Sequence, residues 1–297
     1  MKLLKPVLGI ALLALLITSC DQDSPDELVP DTSNIEMLAL KKQFPLKTND
    51  ITKNGIYHGV MASSESLSRG KIWINLANNG NYLALIELVG QSPLEFKLKP
   101  AFLARAASAT VFEFSGQAGS FTIDVTNFME PVVSNLEIYN ESFVAMVVKS
   151  MSNSMASSAT ATFSETGNPS FSGSWLLLAD GSMPNPNGNG GDGITSLLIT
   201  INGDDVDDFS FDSFNADTCL GNPNYYPTLN SYGVADFIVC DYQTTSFAGG
   251  TAKWNLSFDM TVEGYVNYFL CETTTAGSFT WTSNDGSIYK VGEIVID

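Results

Sequence analysis

The 297-residue sequence is short of the residues that most often carry catalysis. It has a single histidine, His58, and four cysteines, none of which form a Cys-x-x-Cys pair. A nucleophilic triad needs a base beside its nucleophile, and nothing in the sequence links His58 to a particular Ser and Asp. A zinc site built from Cys and His is disfavoured because the sequence has one histidine and no Cys-x-x-Cys pair. No glycine-rich phosphate loop follows a strand and opens a helix, which argues against nucleotide binding.

Positive charge is the second shortage. Lys and Arg number 14 against 32 Asp and Glu, so the net charge is −18, and charged residues make up only 15% of the chain. Such a surface is repelled by nucleic acid and by anionic headgroups, so neither is expected as a binding partner of the protein surface. Hydrophobic residues make up 44% of the chain, which predicts a globular core rather than disorder.

The apolar run at the N-terminus is too short to span a bilayer. It extends from Val7 to Ile17, whereas a spanning helix needs roughly 20 apolar residues. Two lysines precede it and two small polar residues lead from it to Cys20, which is the layout of a secretory signal. Ile17-Thr18-Ser19-Cys20 resembles the lipobox of bacterial lipoproteins. The resemblance implies that residues 1–19 are a signal peptide and that Cys20 is acylated. An ordinary cleaved signal and an uncleaved anchor are the alternatives.

The rest of the chain divides by composition. Residues 20–50 are acidic and contain proline, which predicts a flexible tether with a short helix over 34–42. We expect a first β domain over 51–182 and a second over 194–297. Between them, residues 183–193 are rich in Gly, Pro and Asn and form a linker or a surface loop.

Alternating hydrophobicity predicts the fold class. Apolar and polar residues alternate without a break from Ala252 to Glu263, a shorter alternation begins at Ile72, and further strands are predicted from Phe171 and from Ser278. Asn78-Asn79-Gly80-Asn81 is typical of a hairpin turn. Many short strands with almost no helical periodicity indicate an all-β, antiparallel protein, either sandwich or barrel. We expect two β-sandwich units, with a single elongated sandwich as the alternative.

Exposed aromatic residues are the candidate ligand-binding groups, because rings stack on sugar C–H groups. Trp73 shares the polar face of its predicted strand and is expected to be exposed. Three tyrosines lie between Cys219 and Cys240, and a disulfide between these two cysteines is one of three pairings open to Cys219, Cys240 and Cys271. The tyrosines of this loop are Tyr225, Tyr226 and Tyr232. The plainer interpretation is that they cover the end of a sheet.

A dense acidic group offers the one candidate metal site. Its members are Asp204, Asp205, Asp207, Asp208 and Asp212. Clustered oxygens suit Ca²⁺, but the spacing is not that of an EF-hand. A hydrated turn between two strands is therefore favoured, and no other cofactor is expected.

These features favour a non-catalytic lipoprotein of the outer membrane or cell surface. Its layout of lipobox, acidic tether and β domains looks like that of the surface glycan-binding and adhesin lipoproteins of Bacteroidota-type bacteria. That resemblance implies a membrane contact through the lipid and a glycan or envelope-protein partner. A secreted glycosidase-like hydrolase with paired carboxylates and a purely structural envelope subunit are the alternatives.

Overall fold

The described residues fold mainly into antiparallel β-structure, as the hydrophobic alternation predicts. A computed structural model describes residues 40–41, 43–63, 65–152, 155–179, 195–201, 204–211, 237–260 and 276–297. Residues 37–297 form one compact unit. The predicted signal peptide, Cys20 and most of the predicted tether and its helix lie outside the described residues.

The first eight strands form one sheet. They are β1 (Gly55–Ser63), β2 (Arg69–Leu76), β3 (Tyr82–Leu88), β4 (Leu94–Leu98), β5 (Val111–Ser115), β6 (Gly119–Asp124), β7 (Val132–Ile138) and β8 (Glu141–Ser150). Short helical pieces flank them: a 3-10 turn at Lys47–Asn49 and a four-residue helix α1 (Pro100–Leu103).

This sheet is a closed barrel rather than the sandwich we expected. Each strand pairs with the next, and β1 pairs with β8 from Ile56↔Ser150 to Ser63↔Phe143. Closure leaves one inner face, and side chains fill it: the core includes Tyr57 and Phe96, and the Phe114 and Phe121 rings stack at 5.2 Å. Small eight-stranded barrels have interiors that side chains can fill, so this half is a packed core.

The remaining eight strands form a second sheet. They are β9 (Ser157–Glu165), β10 (Asn168–Ala179), β11 (Thr195–Ile201), β12 (Asp204–Phe211), β13 (Phe237–Phe247), β14 (Gly250–Met260), β15 (Ala276–Ser283) and β16 (Tyr289–Ile296). Their order is β12-β11-β10-β9-β16-β15-β14-β13. The first and last of these strands, β9 and β16, pair antiparallel, just as β1 and β8 do in the barrel.

The chain passes from the first sheet to the second before the predicted domain boundary at residues 183–193. β8 ends the barrel at Ser150, and β9 and β10 already belong to the second sheet. The predicted linker over 183–193 lies outside the described residues, so its role stays a prediction.

Apolar side chains join the two sheets. On β10, Trp175 and Leu177 face the core of the second sheet, whereas Leu176 and Leu178 pack against Val60 and its neighbours on the outer wall of the barrel. A strand covered on both faces reads as a continuous apolar run, which explains the Trp-Leu-Leu-Leu sequence of β10.

Candidate functional site

Of the four aromatic residues predicted to bind a ligand, the structure describes only Trp73, and it is buried. Trp73 is only 7% exposed and packs with Leu40, Ile56 and Leu85, so the expectation that it is exposed is wrong. Leu40 precedes the barrel in the chain and covers the face that the alternation pattern assigned to solvent. Tyr225, Tyr226, Tyr232 and Cys219 lie outside the described residues. Cys240 lies on β13, opposite Ser257 of β14.

The acidic group lies on a strand and not in a turn. Asp204, Asp205, Asp207 and Asp208 belong to β12, which pairs with the apolar strand β11. The predicted hydrated turn is therefore wrong for these four residues, because pairing with β11 outweighs their low strand propensity. Asp212 lies outside the described residues. Within the described part of the chain, no three His, Cys, Asp or Glu residues are grouped to hold a metal ion.

His58 is held between the two sheets. It lies on β1, is 5% exposed, and stacks on the Trp73 ring with centroids 4.8 Å apart. Its Nδ1 lies 3.0 Å from the Ile72 carbonyl oxygen, and its Nε2 lies 2.7 Å from Ser158 Oγ on β9. A carbonyl can only accept, so Nδ1 carries the proton and the Ser158 hydroxyl donates to Nε2. Both ring nitrogens of the neutral imidazole are therefore engaged in hydrogen bonds.

The surroundings keep this imidazole neutral. The pKa of His58 is lowered to about 3, mainly by burial and also by the positive charges of Lys71 and Lys41, against the opposing effect of the Ile72 hydrogen bond. Lys41 Nζ lies 5.0 Å above the Trp73 ring and pairs with Glu87. The 2.7 Å separation of Ser158 and His58 suits a nucleophile and its base. Ser158 is only 8% exposed, however, and His58 only 5%, so both members of the pair are buried where the two sheets meet.

A second constellation lies at one end of the barrel. Alternate connections of an up-and-down barrel lie at the same end, and here they are 77–81, 99–110 and 125–131. Segment 43–54, which leads into β1 at this end, is counted with them as a fourth connection. We call this the plugged end. Asn78 ties two of the connections together: its amide donates to the Phe44 carbonyl at 2.9 Å and accepts from the Leu46 N–H at 2.9 Å.

Lys149 closes the plugged end from inside. Although it is only 4% exposed, its Nζ donates to the carbonyl oxygens of Asn49 (2.7 Å), Thr52 and Asn54 (2.9 Å). All three carbonyls belong to the chain segment that crosses the end of the barrel before β1. A single buried ammonium thus fixes this segment in place.

Aromatic rings surround the same ammonium. Lys149 Nζ lies 5.7 Å from the Tyr57 ring centroid and 4.6 Å from that of Phe128. Burial lowers the pKa of Lys149 to about 8, and the Asp50 charge opposes that shift. Lys149 is therefore still protonated at pH 7 and can donate all three hydrogen bonds.

Apolar side chains point outward from the plugged end. In three connections, a buried or half-buried residue is followed directly by an exposed one: Pro45–Leu46, Phe102–Leu103 and Phe128–Met129. Ile51 is 83% exposed. Phe102 and Phe128 already pack against the barrel core, so the exposed residues are not needed to fill it.

Comparison with known proteins identifies no relative. No protein-family model, no curated protein and no solved structure matches the chain. In the described part of the chain, no helix is both long and apolar enough to cross a membrane.

Proposed function

We propose that this protein is a lipid-anchored, non-catalytic protein of the bacterial cell envelope that binds a glycan or another envelope protein. The observation that carries the proposal is the sequence Ile17-Thr18-Ser19-Cys20 directly after a charged start and an apolar run. Two or three acyl chains at Cys20 hold a domain at a membrane persistently, because each buried methylene contributes about 0.8 kcal/mol.

The use made of His58 supports a non-catalytic role. It is the one imidazole in the sequence, and both of its nitrogens bond to neighbouring groups in the contact between the sheets. General acid–base chemistry at neutral pH requires a group that exchanges protons with a substrate it can reach. His58 is neutral and buried, so it serves packing instead.

The anchor is tested by acylation in the native host. We expect the wild-type protein to incorporate a palmitate analogue, and its intact mass to correspond to a chain that begins at Cys20 with acyl groups attached. Cys20→Ser should abolish both signals. Cys219→Ser is the matched control, since it removes a cysteine outside the lipobox and should leave acylation unchanged. Acylation that persists in Cys20→Ser contradicts the proposal.

The binding role is tested on a glycan array. We expect binding that is lost in the double variant Tyr225→Ala with Tyr226→Ala, because each stacked ring removed takes contact area from the sugar. Tyr289→Ala is the control, since Tyr289 is an exposed tyrosine on β16 that does not belong to residues 219–240. If the double variant binds as the wild type does, these tyrosines are not the glycan site. Co-purification with an envelope protein and no glycan binding favours the protein partner.

A further inference from the structure

We propose that the plugged end of the barrel docks on the surface of an anionic phospholipid bilayer. The proposal takes its membrane from the proposed anchor at Cys20 but rests on different residues. Docking would fix the orientation of the barrel relative to the bilayer.

The first argument is the shape of the plugged end. Its exposed apolar side chains come from three of its four connections and include Leu46, Ile51, Leu103 and Met129. Asn78 and Lys53 hold connections to one another, since Lys53 Nζ donates to the carbonyl oxygens of Ala107 (2.9 Å) and Ala109. Lys149 fixes residues 49–54. A rigid rim of apolar residues can enter the headgroup region without paying the entropy of ordering loops.

The second argument is charge. The four connections of the plugged end contain four basic residues and two acidic ones, in a chain with 14 basic and 32 acidic residues. Lys47 and Arg105 are exposed, and the Arg105 guanidinium lies 4.4 Å from the Phe102 ring centroid. The net charge of the whole chain predicts repulsion from anionic headgroups, but the charge of this end has the opposite sign. An anionic surface therefore attracts this end and repels the rest of the molecule, which favours one orientation.

The opposite end of the barrel provides the contrast. It also exposes apolar side chains, including Leu67 and Tyr139, but its connections 64–68, 89–93, 116–118 and 139–140 contain Glu65 and no basic residue. Apolar exposure alone does not separate the two ends. The sign of the charge does.

The third argument is reach. Nineteen residues lie between Cys20 and Leu40, which packs with Trp73 on the barrel wall. A flexible coil of that length, as the predicted tether would provide, has an r.m.s. reach of about 25 Å. An eight-residue strand is about as long, at roughly 3.3 Å per residue. The predicted tether is therefore long enough for the plugged end to touch the bilayer that holds the proposed lipid.

The test uses the protein purified from its host and reconstituted in vesicles of phosphatidylcholine and phosphatidylglycerol with brominated acyl chains. A tryptophan is introduced at the plugged end by Ile51→Trp, or at the opposite end by Leu67→Trp as the matched control. Quenching beyond that of the wild-type tryptophans is expected for Ile51→Trp and not for Leu67→Trp. Adding Lys47→Glu and Arg105→Glu to Ile51→Trp should lower the docked-to-undocked ratio about tenfold or more.

Each outcome decides the proposal. Equal quenching at positions 51 and 67, stronger quenching at 67, or quenching that the charge reversals leave unchanged overturns it. Dimerisation of the wild type that Ile51→Asp abolishes, measured by analytical ultracentrifugation, also overturns it and assigns the rim to a second copy of the chain. The intact mass of the same preparation reports acylation of Cys20 independently, so a failed anchor and a failed docking surface are distinguishable.

Discussion

Replacing Lys149 with methionine should lower the free energy of unfolding by about 3 kcal/mol at pH 7. Methionine keeps the length of the side chain and its packing on the Tyr57 and Phe128 rings, but it cannot donate. Three carbonyl oxygens of the segment that crosses the plugged end then lose their common partner. Hydrogen bonds from a charged donor contribute about 1.5–3 kcal/mol each. Relief of the buried charge offsets part of that sum, which is why we expect a smaller net loss.

The same segment supplies the control. Lys47→Met removes an exposed lysine two residues from Asn49, and its effect should lie within about 0.5 kcal/mol. Urea unfolding followed by circular dichroism measures both variants. A loss below 1 kcal/mol for Lys149→Met would show that water satisfies the three carbonyls as well as the ammonium does. It would also weaken the docking proposal, since the rim would then lack its internal support.

Strand pattern was largely predictable from the sequence because period-two alternation depends only on which face of a strand is buried. The hairpin at Asn78–Asn81 is confirmed, and so is the predicted strand from Ala252 as far as Met260, where the described part of β14 ends. β7 was not predictable from alternation because its pattern is broken: Asn135 has a positive φ of 52°, and the β6–β7 register shifts. β4 does show alternation, in Leu-Glu-Phe-Lys-Leu. It has only five residues and lies between two prolines, so the pattern is too short to predict a strand with certainty.

What covers a strand's outer face was not predictable from its own sequence. Trp73 has polar neighbours along β2, yet Leu40 and His58 cover its ring. The partner of His58, Ser158, lies 100 residues further along the chain. Such contacts depend on how two sheets pack, and alternation within one strand carries no information about a second sheet. The grouping of basic residues at the plugged end was not predictable for a related reason, since these residues come from connections far apart in sequence.

His58 should make the protein sensitive to acid between pH 7 and pH 5. In the unfolded chain its pKa is about 6.5, whereas in the folded protein burial lowers it to about 3. Below pH 6.5 the unfolded state therefore binds a proton that the folded state does not. The stabilisation is fully present above pH 6.5 and is lost progressively as the pH falls toward 3. The unfolding free energy should fall by about 2 kcal/mol from pH 7 to pH 5.

This interval isolates the imidazole, because His58 is the chain's one histidine and ordinary carboxyl groups remain ionised at pH 5. His58→Gln should be less stable than the wild type at pH 7, because glutamine cannot reproduce both hydrogen bonds and the stack on Trp73. Its unfolding free energy should nevertheless stay nearly constant down to pH 5. Ser158→Ala is the control, since it removes the hydroxyl but leaves the imidazole buried and should keep the wild-type slope. Parallel slopes for the wild type and His58→Gln, measured by urea unfolding at both pH values, would mean that His58 takes up its proton in the folded state. The contact between the sheets would then be open to water, and the argument against an accessible Ser158–His58 pair would fail with it.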